Sequence, residues 1–252
     1  MSQPVRTSLK KRLSRWTMKS NRNHLWEGAR AGSEPTLTFR ESDHTYWVGD
    51  PDEGTRLFSA TQIGAEAGLV DTRFFSPAAA ERGTFIHSAT EYLDREDVEL
   101  QEDDLDEAIV PYIVAYKKFT EECHPQWEGI EEQMCDPQLG IAGTIDRWGY
   151  INPTGKKKIR VVLDIKSGAA APYHAVQLAC YQHLITRKLL LMGNAHQHNS
   201  SKPLVERYCL YITKRGTYKL TKFSDVQDIA VFMAARTLVM WKNEHKLIGK
   251  TK

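Results

Sequence analysis

No run of about 18 apolar residues occurs in the chain, so a membrane-spanning helix is not expected. The basic N-terminus has no apolar core behind it, so it does not read as a secretory leader, and the cytoplasm (a host cell's, if the source is viral) is the expected location. Cysteine is scarce. Cys123, Cys135, Cys180 and Cys209 are scattered and include no CxxC pair. This argues against a cysteine-ligated zinc site or iron–sulfur cluster and suits a reducing compartment. The phosphate-cradling pattern GxxxxGK[ST] is missing, because Gly249-Lys250-Thr251 lacks the upstream glycine. An ATP-driven motor is therefore not expected. His196-x-His198 sits in the polar run GNAHQHNSSK, which reads as a solvated loop rather than a metal cluster.

What is present is an ordinary globular composition with an uneven charge. Hydrophobic residues make up 41% and charged residues 26% of the 252, enough for one large domain. Residues 1–34 read as a basic arm: Arg6, Lys10, Lys11, Arg12, Arg15, Lys19, Arg22 and Arg30 face one acid, Glu27. The span 91–136 is acidic, and the chain from Lys202 onward is basic again. Basic ends around an acidic middle suggest a polyanion meeting an acid-lined site. The competing reading is a solvated tail and solvated helix faces.

Residues 35–252 read as a single domain of mixed class. LTFRESDHTYWVGD (37–50) alternates around a turn and predicts a hairpin. A Ser/Thr cap signal opens a short helix over 59–70. Residues 76–96 form a helix with Phe85, Ala89 and Leu93 on one stripe. Residues 102–123 form another, with Ile109, Ile113, Tyr116 and Phe119 inward and Pro111 either kinking it or starting a second segment. The period then changes to that of strands over 127–136, 141–151 and 158–168, with a turn at Asn152-Pro153-Thr154-Gly155. A helix (172–192), a hairpin around Arg215-Gly216 (207–223) and a closing helix (224–246) follow. This order implies an α/β or α+β fold, a mixed sheet flanked by helices.

Charge appears inside two of these strands. Asp146 ends the run Gly-Thr-Ile-Asp, and Asp164 and Lys166 lie in Val-Val-Leu-Asp-Ile-Lys. In a strand, Asp164 and Lys166 share a face. Close carboxylates repel unless a cation lies between them. Hard divalent ions are held by one or two carboxylates, water and substrate phosphate, and a desolvated lysine can orient or deprotonate a water. A buried Asp–Lys–Asp ion-pair network is the bland alternative. His87 and Glu91 share one helix face, as do Gln177 and Tyr181 on the helix after Lys166.

Taken in order, Gly83-x-x-x-His87, Gly143-Thr-Ile-Asp146, Asp164-Ile-Lys166 and Gln177-x-x-x-Tyr181 resemble the RecB-like branch of the PD-(D/E)XK nucleases, and most of all its stand-alone phage, viral and mitochondrial exonucleases. The resemblance spans residues 59–181. It implies a restriction-endonuclease-like fold with an α-β-β-β-α-β core. It also implies Mg²⁺- or Mn²⁺-dependent hydrolysis of DNA in replication, recombination or end-processing. Asp146 and Asp164 would be metal ligands to one or two ions, with His87, the backbone carbonyl of Ile165 and, less securely, Glu91 completing the shell. Glu131 and Glu132 lie on the strand before Asp146 and are further inward candidates. Lys166 would be the catalytic lysine, supported by Gln177 and Tyr181. Arg73, Arg82, Lys10, Lys11 and Arg12 would hold the DNA backbone, and Trp148 is a candidate for base stacking. The resemblance implies neither an iron–sulfur cluster nor ATP. The partners it implies are DNA with a free end and a recombination or replication protein, or further copies of the chain. The alternatives are a structure-specific endonuclease, an RNase, or a catalytically silent DNA-binding module.

Overall fold

The computed structural model describes residues 36–71, 76–95, 105–193 and 203–248. The first strands, β1 (Leu37–Arg40) and β2 (Thr45–Val48), pair as the expected hairpin. A third short strand, β3 (Thr55–Ser59), was not anticipated. It runs straight into α1 (Ala60–Glu66). Ser59 accepts from the Gln62 amide while the Gln62 side chain accepts from the Ser59 amide, a reciprocal cap that starts the helix abruptly. Helix α2 (Pro77–Asp94) begins behind Ser76 with Pro77 in its first turn.

Helix α3 (Val110–Cys123) is shorter than the expected 102–123. Pro111 lies in its first turn, where the missing amide proton forfeits no hydrogen bond, so proline begins this helix rather than kinking it. Strands β4 (Gln126–Asp136), β5 (Ile141–Ile151) and β6 (Ile159–Lys166) follow, then α4 (Tyr173–Leu191), β7 (Glu206–Ile212), β8 (Tyr218–Phe223) and α5 (Gln227–Glu244).

The strands form one mixed eight-stranded sheet with helices on both faces. Helices α1, α4 and α5 pack on one face through Ile63, Leu178, Ile185 and Phe232, which meet Ile145, Val162 and Cys209 of the sheet. Helices α2 and α3 cover the other through Ile86, Ile113 and Phe119, which meet Val161, Leu163, Ile165 and Leu210. Each fully buried side chain of this kind contributes about 1.5–3 kcal/mol. The near-continuous apolar run of β6 follows from having both faces covered.

Strand β5 organises the sheet. β4 pairs along one edge of it. Its other edge is shared: β3 runs parallel to its start, at Ile141 and Ala142, and β6 runs antiparallel to its end, from Arg147 to Ile151. Among the described residues, Gly143–Asp146 have no strand partner on that edge. The sheet forks there, and the fork lies in the Gly-Thr-Ile-Asp run.

Candidate active site

At the fork a side chain takes over from the ladder. Continued past Arg147↔Leu163, the register would set Asp146 opposite Asp164 and then Ile145 opposite Ile165. Instead the Ile165 amide donates to Asp146 Oδ2 at 2.7 Å. This ties the middle of β5 to the end of β6 and turns the Asp146 carboxylate inward, where it is 7% exposed. Ile165 thus meets the site through its N–H; the contact expected from it was through its carbonyl.

Two further donors join Asp146. His87, two and a half turns into α2, places Nδ1 3.5 Å from Asp146 Oδ2 and 3.5 Å from Glu131 Oε1. Glu131 falls opposite Asp146 between the pairs Ile130↔Arg147 and Glu132↔Ile145. Its φ of 47° is left-handed, uncommon for a residue with a side chain. One ligand atom from each of His87, Glu131 and Asp146 lies within 4.8 Å of the others. That spread suits donors to a single ion at roughly 2.0–2.4 Å each. Two hard carboxylates and one imidazole fit Mn²⁺ or Mg²⁺, with the nitrogen favouring Mn²⁺.

Asp164 lies beside this set, not within it. Lys166 Nζ is 2.9 Å from its Oδ1 and 2.7 Å from its Oδ2, and the Cys209 thiol is 3.9 Å from Oδ2. Asp164 is 1% exposed. The expected pair of metal ligands therefore separates: Asp146 faces His87 and Glu131, and Asp164 faces the lysine. Of the two glutamates before Asp146, Glu131 turns in. Glu132 instead bonds Trp148 Nε1 and Lys188. Trp148 is consequently a core residue, 4% exposed with Lys188 over its ring, and is not available to stack on a base.

Glu91 follows one turn after His87, is buried, and pairs with Arg95 at 3.0 Å. Gln177 donates to the Tyr181 hydroxyl at 3.0 Å, and both are buried. The Tyr181 ring lies against Gly143, where an added Cβ would come within 2.8 Å of Cε1. Glycine in Gly-Thr-Ile-Asp is thus favoured by a tyrosine 38 residues later in sequence. Arg82 lies on α2 with its Nε buried and unpartnered. Arg73, Lys10, Lys11, Arg12, the basic arm and the His196-x-His198 run lie outside the described residues.

Arg147 was not anticipated. Its guanidinium is completely buried. Nε bonds Asp94, Nη1 donates to Glu131 Oε1 at 3.0 Å and to the Asp146 carbonyl at 2.6 Å, and Nη2 reaches Thr90 at 3.3 Å. Tyr116 donates to the same Asp94 oxygen. Arg147 therefore holds Glu131 and the Asp146 backbone together from the α2 side. The signal was in the sequence: an arginine next to Asp146, inside an apolar strand, is as misplaced as the acids.

The electrostatics set Asp146 apart. Asp164 has Lys166, Glu91 has Arg95, and Asp94 and Glu131 share Arg147. Among the described residues, the one ion-pair partner of Asp146 is His87. Burial, with Asp164 and Glu131 adding to it against His87, pushes its carboxyl up to about 6. His87 responds in reverse: burial opposes its charge, but Asp146 and Glu131 win and raise the imidazolium to about 9. Lys166 is likewise raised, burial being outweighed by Asp164 and Asp146. Burial and then the charges of Asp164 and Asp146 keep the Tyr181 hydroxyl protonated. A site with this surplus of carboxylate holds a proton on His87 where it could hold a cation.

No protein-family model matches the chain, and no curated protein matches it in sequence. No helix among the described residues is long and apolar enough to cross a membrane.

Proposed function

We propose that this protein is a divalent-metal-dependent deoxyribonuclease with a restriction-endonuclease-like core, of the RecB-like PD-(D/E)XK type, acting from DNA ends. One observation carries the reading. Four sequence segments meet at the β5 fork: His87 from α2, Asp146 from β5, Asp164 and Lys166 from β6, and Gln177 and Tyr181 from α4. The order α3-β4-β5-β6-α4-β7 is the element order such a core needs.

His87, Glu131 and Asp146 would hold the ion. Bound there, it would polarise a phosphoryl oxygen and lower the pKa of a water. The residues around it have separable tasks. Lys166, kept charged by Asp164, donates hydrogen bonds and positive charge toward an attacking water or a phosphate oxygen. Its raised pKa argues against its acting as the base. Asp164 fixes that ammonium. Tyr181, protonated and held by Gln177, is a neutral donor beside the same carboxylates. Arg82, with an unpartnered buried Nε on α2, is placed to meet a backbone phosphate.

The test is Mg²⁺- or Mn²⁺-dependent digestion of end-labelled linear DNA, covalently closed circular DNA and RNA. Lys166→Ala and Asp164→Ala should lose activity by on the order of 100-fold or more while retaining their fold and DNA binding. Asp164→Ala cutting as well as the parent would sink the reading. Cleavage of the circle would convert it to an endonuclease, and cleavage of RNA alone to an RNase.

A further inference from the structure

Lys166 stands in a row with two other side chains. It is the register partner of Tyr211 in β7, and Tyr211 is the partner of Lys219 in β8. Cross-strand partners project to one face, here the face covered by α4. With strands about 4.8 Å apart, Lys219 lies about 10 Å from Lys166 along this row. The two lysines are thus spaced for neighbouring parts of one polymer.

Beside the outer end of the row is an open groove of about 270 Å³. Ala171 and Pro172, leading into α4, line it together with Tyr211 of β7 and Phe223 of β8. Lys219 and Thr221 complete the lining from alternate positions of β8. The Tyr211 hydroxyl is held by His174 Nδ1 at 2.8 Å, which fixes the ring. The Thr221 hydroxyl oxygen is buried and has no hydrogen-bond partner among the described residues. A buried hydroxyl left unpaired costs about 1–3 kcal/mol, which a polar ligand atom reaching it would recover. An apolar, partly aromatic slot with one cation and one orphaned hydroxyl matches the chemistry of a nucleotide: a flat base, a hydroxylated or heteroatom edge, and a phosphate. The volume lies just below the range of about 300–1,000 Å³ usual for small-molecule sites, which suits contact with a single base.

We infer that this groove is a subsite for one unpaired nucleotide of the DNA strand being cut. The base lies between Pro172 and Phe223, Thr221 bonds its edge or sugar, and Lys219 takes the adjoining phosphate. This rests on the nuclease reading only for placing the scissile phosphate at Lys166. It makes single-stranded or frayed ends the preferred substrate.

Binding is measured on the full chain in EDTA, where nothing is cut, with the dinucleotide pTpT by calorimetry and with fluorescein-labelled oligo(dT) by anisotropy. Phe223→Ala should weaken pTpT about tenfold through lost stacking, and Thr221→Val about threefold. Lys219→Gln, at an exposed position that folding does not need, should lower the slope of log affinity against log salt by about 0.7. A merely structural role would not move that slope. Blunt duplex binding should change less than oligo(dT) binding in all three. If parent and variants bind pTpT alike, or the parent does not bind it, the subsite is wrong, even where the parent digests DNA. If the parent digests nothing yet Lys219→Gln and Phe223→Ala lose pTpT binding, the subsite stands and the nuclease reading falls.

Discussion

The two halves of the site treat charge differently. On the β6–α4 half, Asp164 is matched by Lys166, and Gln177 is matched by Tyr181. On the α2–β4–β5 half, Asp146 and Glu131 share a single imidazole and, for Glu131, the buried Arg147. The first half is self-contained and presents donors. The second has more carboxylates than cations and invites a further cation. Carboxylates that differ by only one turn of sheet topology therefore carry different roles, although their local sequences, Thr-Ile-Asp and Val-Leu-Asp, look alike.

The largest effect should come from the scaffold of the cation half. Arg147→Met leaves Asp94 buried without its cation and should destabilise the protein by about 3–5 kcal/mol in chemical denaturation. A loss under about 1 kcal/mol would mean that the network is not what holds Glu131.

Next come the two aspartates. Asp146→Asn should weaken Mn²⁺ binding by on the order of 100-fold, since metal ligands must be ionised, whereas Asp164→Asn should leave it within about threefold. Calorimetric Mn²⁺ titration of both variants decides this. Equal losses would merge the two halves into one metal site.

Gly143→Ala strikes where the halves touch. Its methyl group would displace the Tyr181 ring and cost about 1–3 kcal/mol in thermal unfolding. Gly143→Ala in a Tyr181→Phe background should not rescue it, because the ring and not the hydroxyl is in the way.

The effect of pH requires no substitution. His87, raised to about 9 from an ordinary value near 6.5, contributes stability that is fully present below about 6.5 and is lost as pH rises through about 9. Metal-free protein should therefore melt lower at pH 9.5 than at pH 7. Metal and proton compete for the same donors, so Mn²⁺ affinity should rise with pH, up to about tenfold per unit, until His87 is neutral. Asp146, raised to about 6, steepens the loss on the acid side. An Mn²⁺ affinity flat between pH 6 and 9 would remove His87 from the ligand set.

Much of this was legible in the chain, for local reasons. Ser59 with Gln62 and Ser76 with Pro77 announce helix starts within four residues. Alternation and turn residues mark β1, β2 and β4 to β8. Asp146, Asp164 and Lys166 stand out because burial penalises charge, whatever the fold. β3 escaped notice because five residues with two exposed positions make a weak alternation, and pairing with β5 supplies the rest.

Which charge answers which was decided only in three dimensions. Asp164 is bound to a lysine two residues away, yet Asp146 is answered from 59 residues upstream by His87. Glu131 turns in and Glu132 turns out because of one left-handed residue that no propensity rule requires. Arg147 is tolerated because α2 and β4 each bring it a partner, while Tyr116 of α3 braces Asp94. Helices and strands are set by periodicity over a few neighbouring residues, and the sequence by itself determined those and the set of charges that burial would trouble. Pairing among those charges falls off with distance through space, so the fork in β5, the cation site beside it and the row from Lys166 to Lys219 belong to the tertiary structure.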